Sequence, residues 1–304
     1  MPGLSNPRSG YKAYIEVEMN IGVRIPCPEP GLDIDPAVVA ATAERLGFDS
    51  IWYPEHAIMP VQTSSPFTWS GSDDGSIPPA YGNFVDPLVA LARASAVTTR
   101  LMLGTGILLL PEHNPLLLAK QTATLDRVSG GRLLLGVGGG WLREQTEIMG
   151  GDFDRRWRQT REATKVLKTL WCQEPAEFHG EYYDFPPVRS LPKPVRDPHP
   201  PVLLAGEHER VYRRVAEWGD GWIPSDIGPE VVERGRKRLN ECAERCGRDP
   251  EELEITAYYV PPYRDDVQAM FDAGANRVVV KRVVTAHSEA DIVADLEAIA
   301  ERVL

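Results

Sequence analysis

The sequence predicts an α/β fold: one domain, residues 1–304, built as a (β/α)8 (TIM) barrel. Three observations predict it. Eight short runs are almost continuously apolar, as strands of a parallel sheet covered on its faces are. Each precedes a longer amphipathic run bounded by helix-capping residues. Eight such units fill 304 residues, a length at which this barrel forms a single domain. An open doubly wound sheet is the alternative, but it generally uses fewer strands, and no strand here opens into a Gly-x-Gly-x-x-Gly turn.

The elements alternate in order. Strand Asn20–Pro26 precedes helix Asp35–Leu46, with Asp35 as N-cap, Pro36 in the first helical position and Gly47 at the end. Strand Ser50–Pro54 is followed, after a long connection, by helix Asp86–Val97, which repeats the Asp-Pro opening. Strand Leu101–Leu109 leads to helix Asn114–Val128, opened by Asn-Pro and stopped near Gly130-Gly131. The later pairs are Arg132–Val137 with Asp154–Trp171, Pro201–Ala205 with Glu207–Trp218, and Gly221–Ile223 with Pro229–Cys246. Glu254–Val260 with Arg264–Ala273 and Asn276–Val283 with Ser288–Val303 complete the series.

Charge narrows the function. With 33 basic against 44 acidic residues the net charge is −11, which argues against general nucleic-acid binding because phosphate contacts need a basic surface. An anionic ligand must therefore meet local donors. Of Cys27, Cys172, Cys242 and Cys246 only the last two are close, and no zinc-ligand spacing accompanies them, so free thiols in a reducing cytosol are expected. No secretory core and no apolar run long enough for a membrane helix is present, and the expected location is cytoplasmic. The six histidines include no His-x-His pair on a strand, which disfavours a metal-dependent barrel hydrolase and leaves the site without a metal.

Two connections exceed a plain turn. Residues 61–85 leave the carboxyl end of the second strand and carry Phe67, Trp69 and Tyr81, so they read as an active-site lid or substrate wall rather than a disordered tip. Residues 172–200 form a proline-rich insertion that enters the fifth strand from the opposite face and reads as structural packing.

In such a barrel the chemistry sits at the carboxyl ends of the strands. The second strand ends in Glu55-His56, either a general acid/base pair or a loop cap. The third carries Gly104-Thr105-Gly106-Ile107, where glycine marks either a tight bend or main chain against which a flat ring can lie. The fourth ends in Gly138-Gly139-Gly140-Trp141, whose exposed N–H groups can meet an anion or a polar ring edge, unless the segment is only a flexible turn beside a core Trp. The fifth ends in Ala205-Gly206-Glu207-His208 and runs into a helix, whose N-terminus is a natural phosphate site; the charged pair can equally just favour the first turn.

The order of these segments resembles the luciferase-like monooxygenase superfamily, most closely the branch that uses the deazaflavin coenzyme F420. The segments are GFDSIWYPEH (47–56), RLMLGTGILLLPEHNPLLLAKQTATLDRVSGGRLLLGVGGGWLREQ (100–145), FHGEYYDFPPVRSLPKPV (178–195) running into PPVLLAGEHERVYRRVAEWGDGWIP (200–224), and GANRVVV (274–280). The resemblance implies a barrel with a flavin-like cofactor across its mouth. Glu55 and His56 would sit beside the reactive ring, with His56 as acid/base. Thr105, Gly106 and Ile107 would line the ring, with a non-proline cis peptide between Gly106 and Ile107. Gly139, Gly140 and Trp141 would border the cofactor's side chain. Ala205, Gly206, Glu207 and His208 would face its phosphate, with Ser225 nearby. The implied activity is hydride transfer between F420 and a small, largely apolar substrate. The alternatives are an FMN-dependent monooxygenase served by a partner flavin reductase, and a non-catalytic carrier of the same cofactors. A homodimer is a possible assembly, since barrels with exposed helices often dimerise. Trp141 and Pro60 depart from the Glu and Trp of sugar-phosphate dehydrogenases in this branch, which counts against that activity.

Overall fold

The computed structural model describes residues 19–25, 34–67, 76–282 and 288–304. Pro26 and Cys27, Trp69 with the tip 68–75 of the first long connection, and Val283 lie outside the described residues.

Eight parallel strands close on themselves. They are β1 (Ile21–Arg24), β2 (Ser50–Tyr53), β3 (Met102–Thr105), β4 (Leu133–Gly138), β5 (Val202–Ala205), β6 (Gly221–Ile223), β7 (Glu254–Val260) and β8 (Arg277–Val280). Each pairs with the next, and β8 returns to β1 with Ile21 opposite Val278, so no edge remains open. Among the described residues nine α-helices surround the barrel: α1 (Pro36–Leu46), α2 (Pro87–Ser95), α3 (Pro115–Ser129), α4 (Arg143–Ile148), α5 (Arg156–Cys172), α6 (Arg210–Trp218), α7 (Pro229–Arg245), α8 (Arg264–Asp272) and α9 (Glu289–Val303). None is long and apolar enough to cross a membrane.

The local signals behave as expected. Asp35, Asp86, Asn114 and Ser288 each cap a helix, their side chains accepting from N–H groups of the first turn. Gly47 and Gly130 close α1 and α3 at φ 101° and 73°, values that favour glycine. Alternation along each strand sorts the core. Ile51 and Tyr53 pack outward beneath the helices, whereas Trp52 joins Leu134, Leu203, Ile223, Tyr258 and Val279 in a second cluster inside the barrel.

Four expectations need correction. The third strand does not run unbroken to Leu109. It stops at Thr105, passes through the cis Gly106–Ile107 peptide and resumes only as Leu108–Leu109 on β4. A separate short helix, α4, stands between β4 and the long α5. Helix α6 begins at Arg210 rather than Glu207, so Gly206 is loop and not the helix terminus. Gly104 serves packing rather than a ligand face, since a Cβ there would meet the Trp52 ring at 2.3 Å; one on Gly106, which borders the cavity, would meet the Tyr258 hydroxyl at 2.4 Å. The insertion 172–200 does pack as structure. It contains an antiparallel hairpin, Ala176–His179 with Asp184–Val188, held to α5 by the Glu162 carboxylate, which accepts from the backbone N–H groups of Glu181, Tyr182 and Tyr183. Its end is held by Asp126, which accepts from Val195 and Arg196 N–H.

Candidate active site at the carboxyl mouth of the barrel

A cavity of about 290 Å³ opens where the strands end. Of the residues expected there, Glu55, His56, Gly106, Ile107, Gly139, Gly140, Trp141, Ala205, Gly206 and Ser225 line it. Three do not. Thr105 is fully buried in the wall, its hydroxyl donating to the Gly136 carbonyl across to β4 at 2.8 Å. Glu207 and His208 are exposed on the loop before α6, where their side chains meet solvent.

Glu55 and His56 do not pair with each other. Glu55, buried under the loop after β3, accepts from Leu109 N–H at 2.7 Å and from His113 Nε2 at 2.9 Å. Burial alone would lower the His113 pKa, but the bond to Glu55 and the charges of Glu55 and Glu112 outweigh it and raise the value. His56 instead places Nδ1 2.6 Å from Gln145 Oε1, and Gln145 in turn donates to Glu112 at 2.6 Å. Burial holds His56 below its ordinary pKa, against the opposing bond to Gln145 and charge of Glu55, and so favours a neutral ring. Burial pushes the Glu112 carboxyl up, beyond what its bonds from Gln145 and Thr146 offset.

One side of the cavity is aromatic. Tyr81 and Phe84, from the far arm of the 61–85 connection, sit 5.6 and 5.2 Å from the His56 ring, centroid to centroid, and Trp141 sits at 6.0 Å. Phe67, buried on the near arm, packs edge-on against Tyr81 and Trp141. Ser64 and Ser65 fasten this arm to α4 through Glu144; bonds from the Ser64 N–H and hydroxyl hold that carboxyl well below the usual range.

Arginines stand behind another part of the wall. Trp157 lines the cavity, and the Arg214 guanidinium lies 4.0 Å over its ring. Burial, with the like charges of Arg210, Arg213 and Arg156, pushes Arg214 down to about 10. Arg156 stands over Phe153 at 4.1 Å, and its buried Nε has no hydrogen-bond partner. A Cβ on Gly139 would come within 3.1 Å of Arg156, and Gly206 holds φ +141° beside Trp157. At the base, Arg24 and Lys281 flank Tyr259, which adopts φ 69° at an irregularity in β7.

Sequence reasoning missed Arg24, Trp157, Tyr258 and Tyr259 in the lining, and Glu112, His113 and Gln145 behind it. One signal was available: the tripeptide Pro-Glu-His occurs twice, at Pro54–His56 and Pro111–His113. Among the described residues, no group of three His, Cys, Asp or Glu is placed to hold a metal ion.

The sequence model of luciferase-like monooxygenases matches residues 35–298. An uncharacterised protein of Mycobacterium tuberculosis is 37% identical over 250 residues, 81% of this chain and 86% of that one. Monooxygenase RslO1 of Streptomyces bottropensis superposes with a TM-score of 0.75 at 21% identity, covering 93% of this chain and 98% of the other. The coenzyme F420-dependent tetrahydromethanopterin reductase of Methanopyrus kandleri superposes at 0.71 and 16% identity, covering 94% and 98%. With a family match over most of its length, a closed barrel and a cavity at the carboxyl mouth, this chain belongs to the luciferase-like monooxygenase family.

Proposed function

We propose that the protein is an F420-dependent oxidoreductase that moves hydride between the deazaflavin and a small, largely apolar organic substrate. The observation that carries the reading is a half-buried imidazole lining the cavity together with a cluster of arginines that packs behind the Gly139 and Trp157 part of its wall. Among the described residues none of Arg156, Arg210 and Arg214 forms an ion pair with a carboxylate. They crowd one another instead, which costs energy unless an anion joins them. Three guanidinium groups exceed what one phosphate needs and suit a tail that bears a phosphate and several carboxylates, as that of F420 does. The residues fit such a group: Gly140 and Gly206 present main chain where their positive φ excludes ordinary side chains, and Arg156 keeps an orphan donor.

When bound, the cofactor supplies the hydride chemistry. The chain's own residues do the rest. Gly139, Gly140, Gly206 and Ser225, which line the cavity, would hold its tail, with Trp157 and the Arg214 stacked on it supplying positive charge nearby. Tyr81, Phe84 and Trp141 exclude water around His56 and offer an apolar face to substrate. His56 Nε2 takes or gives the proton that accompanies hydride transfer. Glu55 acts by anchoring the loop after β3 rather than by touching substrate.

The test is titration of the purified protein with F420 and with FMN, followed by fluorescence and absorbance. Tight F420 binding with weak FMN binding is expected. The reverse would make the protein an FMN-dependent monooxygenase needing a flavin reductase. F420 binding without turnover over a broad substrate panel would leave it a carrier.

A further inference from the structure

The two Pro-Glu-His tripeptides interlock. Glu55 of the first bonds His113 of the second, and His56 of the first reaches Glu112 of the second through Gln145. In the second link an ionised Glu112, which can only accept, sets the roles of donor and acceptor. A primary amide accepts only at oxygen and donates only at nitrogen. Glu112 accepts the Thr146 hydroxyl at Oε1, 3.0 Å, and the Gln145 NH2 at Oε2, 2.6 Å. This turns the Gln145 oxygen toward His56 Nδ1 at 2.6 Å, so Nδ1 carries the hydrogen. Inverting the amide would set two acceptors against each other at the Glu112 contact. In a neutral imidazole with hydrogen on Nδ1, Nε2 holds a lone pair. No described residue bonds His56 Nε2, and the ring lines the cavity.

We propose that Gln145, anchored by Glu112 and Thr146, is a positioning residue that locks His56 in the Nδ1–H tautomer and presents a proton-accepting Nε2 to the cavity. The function of the lock rests on His56 being the acid/base of the proposed oxidoreductase, but its existence does not. The surroundings leave it undisturbed. Tyr81, Phe84 and Trp141 face the imidazole from the neighbouring elements, and Gln145 faces it from α4. Glu55 beside it is the described carboxylate whose charge reaches the ring, and its oxygens are occupied by Leu109 and His113. Second partners of this kind fix which ring nitrogen reacts.

The test reads the tautomer directly. Histidine-labelled protein without cofactor is examined by 15N NMR, with His56 assigned by loss of its signals in His56→Gln. At pH 8 the wild type is expected to show a pyrrole-type Nδ1 and a pyridine-type Nε2. Gln145→Leu removes the acceptor and should move the hydrogen to Nε2. With F420 and substrate it should lower kcat about ten- to a hundredfold and leave the cofactor Kd unchanged. The exchange Glu112→Gln with Gln145→Glu rebuilds a donor behind an acceptor and should restore both tautomer and kcat. A wild-type Nε2–H form, or a tautomer indifferent to Gln145→Leu, would overturn the lock. A normal tautomer with no binding of either cofactor would count against the proposed function and leave the lock standing.

Discussion

Replacing Glu55 by glutamine keeps the side-chain shape and removes the charge. Glu55 is only 6% exposed, and its oxygens accept from Leu109 N–H and from His113 Nε2. A glutamine has one accepting oxygen. If it serves Leu109, the NH2 faces His113, whose Nε2 must then give up its hydrogen and accept. His113 is the reporter of this change, because its folded-state pKa is raised by the partnership. A raised value contributes stability that is fully present below the unfolded pKa, about 6.5, and is lost as pH rises through the folded one. A hydrogen bond to a charged group contributes about 1.5–3 kcal/mol. At about 2–4 °C per kcal/mol for a chain of this class, Glu55→Gln should lower Tm by about 3–12 °C at pH 6. Circular-dichroism melts of both proteins at pH 6 and pH 9 are the assay. The gap should be full at pH 6 and narrow toward pH 9 as the wild-type His113 loses its charge. Equal gaps at the two pH values would refute the pairing argument. An unchanged Tm with abolished turnover would refute the structural role and return Glu55 to the chemistry.

Five further outcomes are expected. His56→Ala should lower kcat by about 10²–10⁴ with little change in cofactor Kd, read by steady-state kinetics and titration. Because burial lowers the His56 pKa, its neutral form persists downward past the ordinary value; turnover should stay flat through pH 7 and fall only below about 6.5, and a profile falling from pH 7.5 would contradict this. Gly206→Val forces a branched side chain into φ +141°, at a local cost of about 1–3 kcal/mol, so cofactor binding should weaken while the melting of the barrel changes little. Arg214→Met should weaken F420 binding and flatten its dependence on salt; an unchanged salt slope would remove the arginine cluster from the tail site. Gly104→Ala drives a methyl into the Trp52 ring inside the barrel and should cost about 1–3 kcal/mol by chemical denaturation.

Much of the frame was legible. Asp35-Pro36, Asp86-Pro87 and Asn114-Pro115 announce their helices because an N-cap acts on N–H groups two or three residues away. The glycine run after β4 was correctly placed at the mouth, since strand ends fix that location once the barrel is known. The helix start at Glu207 was misread: its acidic side chain suits a first turn, yet the chain uses 206–209 as loop and begins helix at Arg210. Thr105 was assigned to the ring by the family resemblance, but side chains alternate along a strand and its hydroxyl points to Gly136 instead.

By itself, the sequence determined the barrel, the order of its elements and the neighbourhood of the site, because periodicity, caps and turns are settled within a few residues of chain. Only the tertiary structure decided the partners. Adjacent Glu55 and His56 look like a pair, yet His113 lies 58 residues from the first and Gln145 89 from the second. Closure of the barrel brings those side chains together, and burial, unlike sequence proximity, makes each polar atom take whichever partner lies within hydrogen-bond reach.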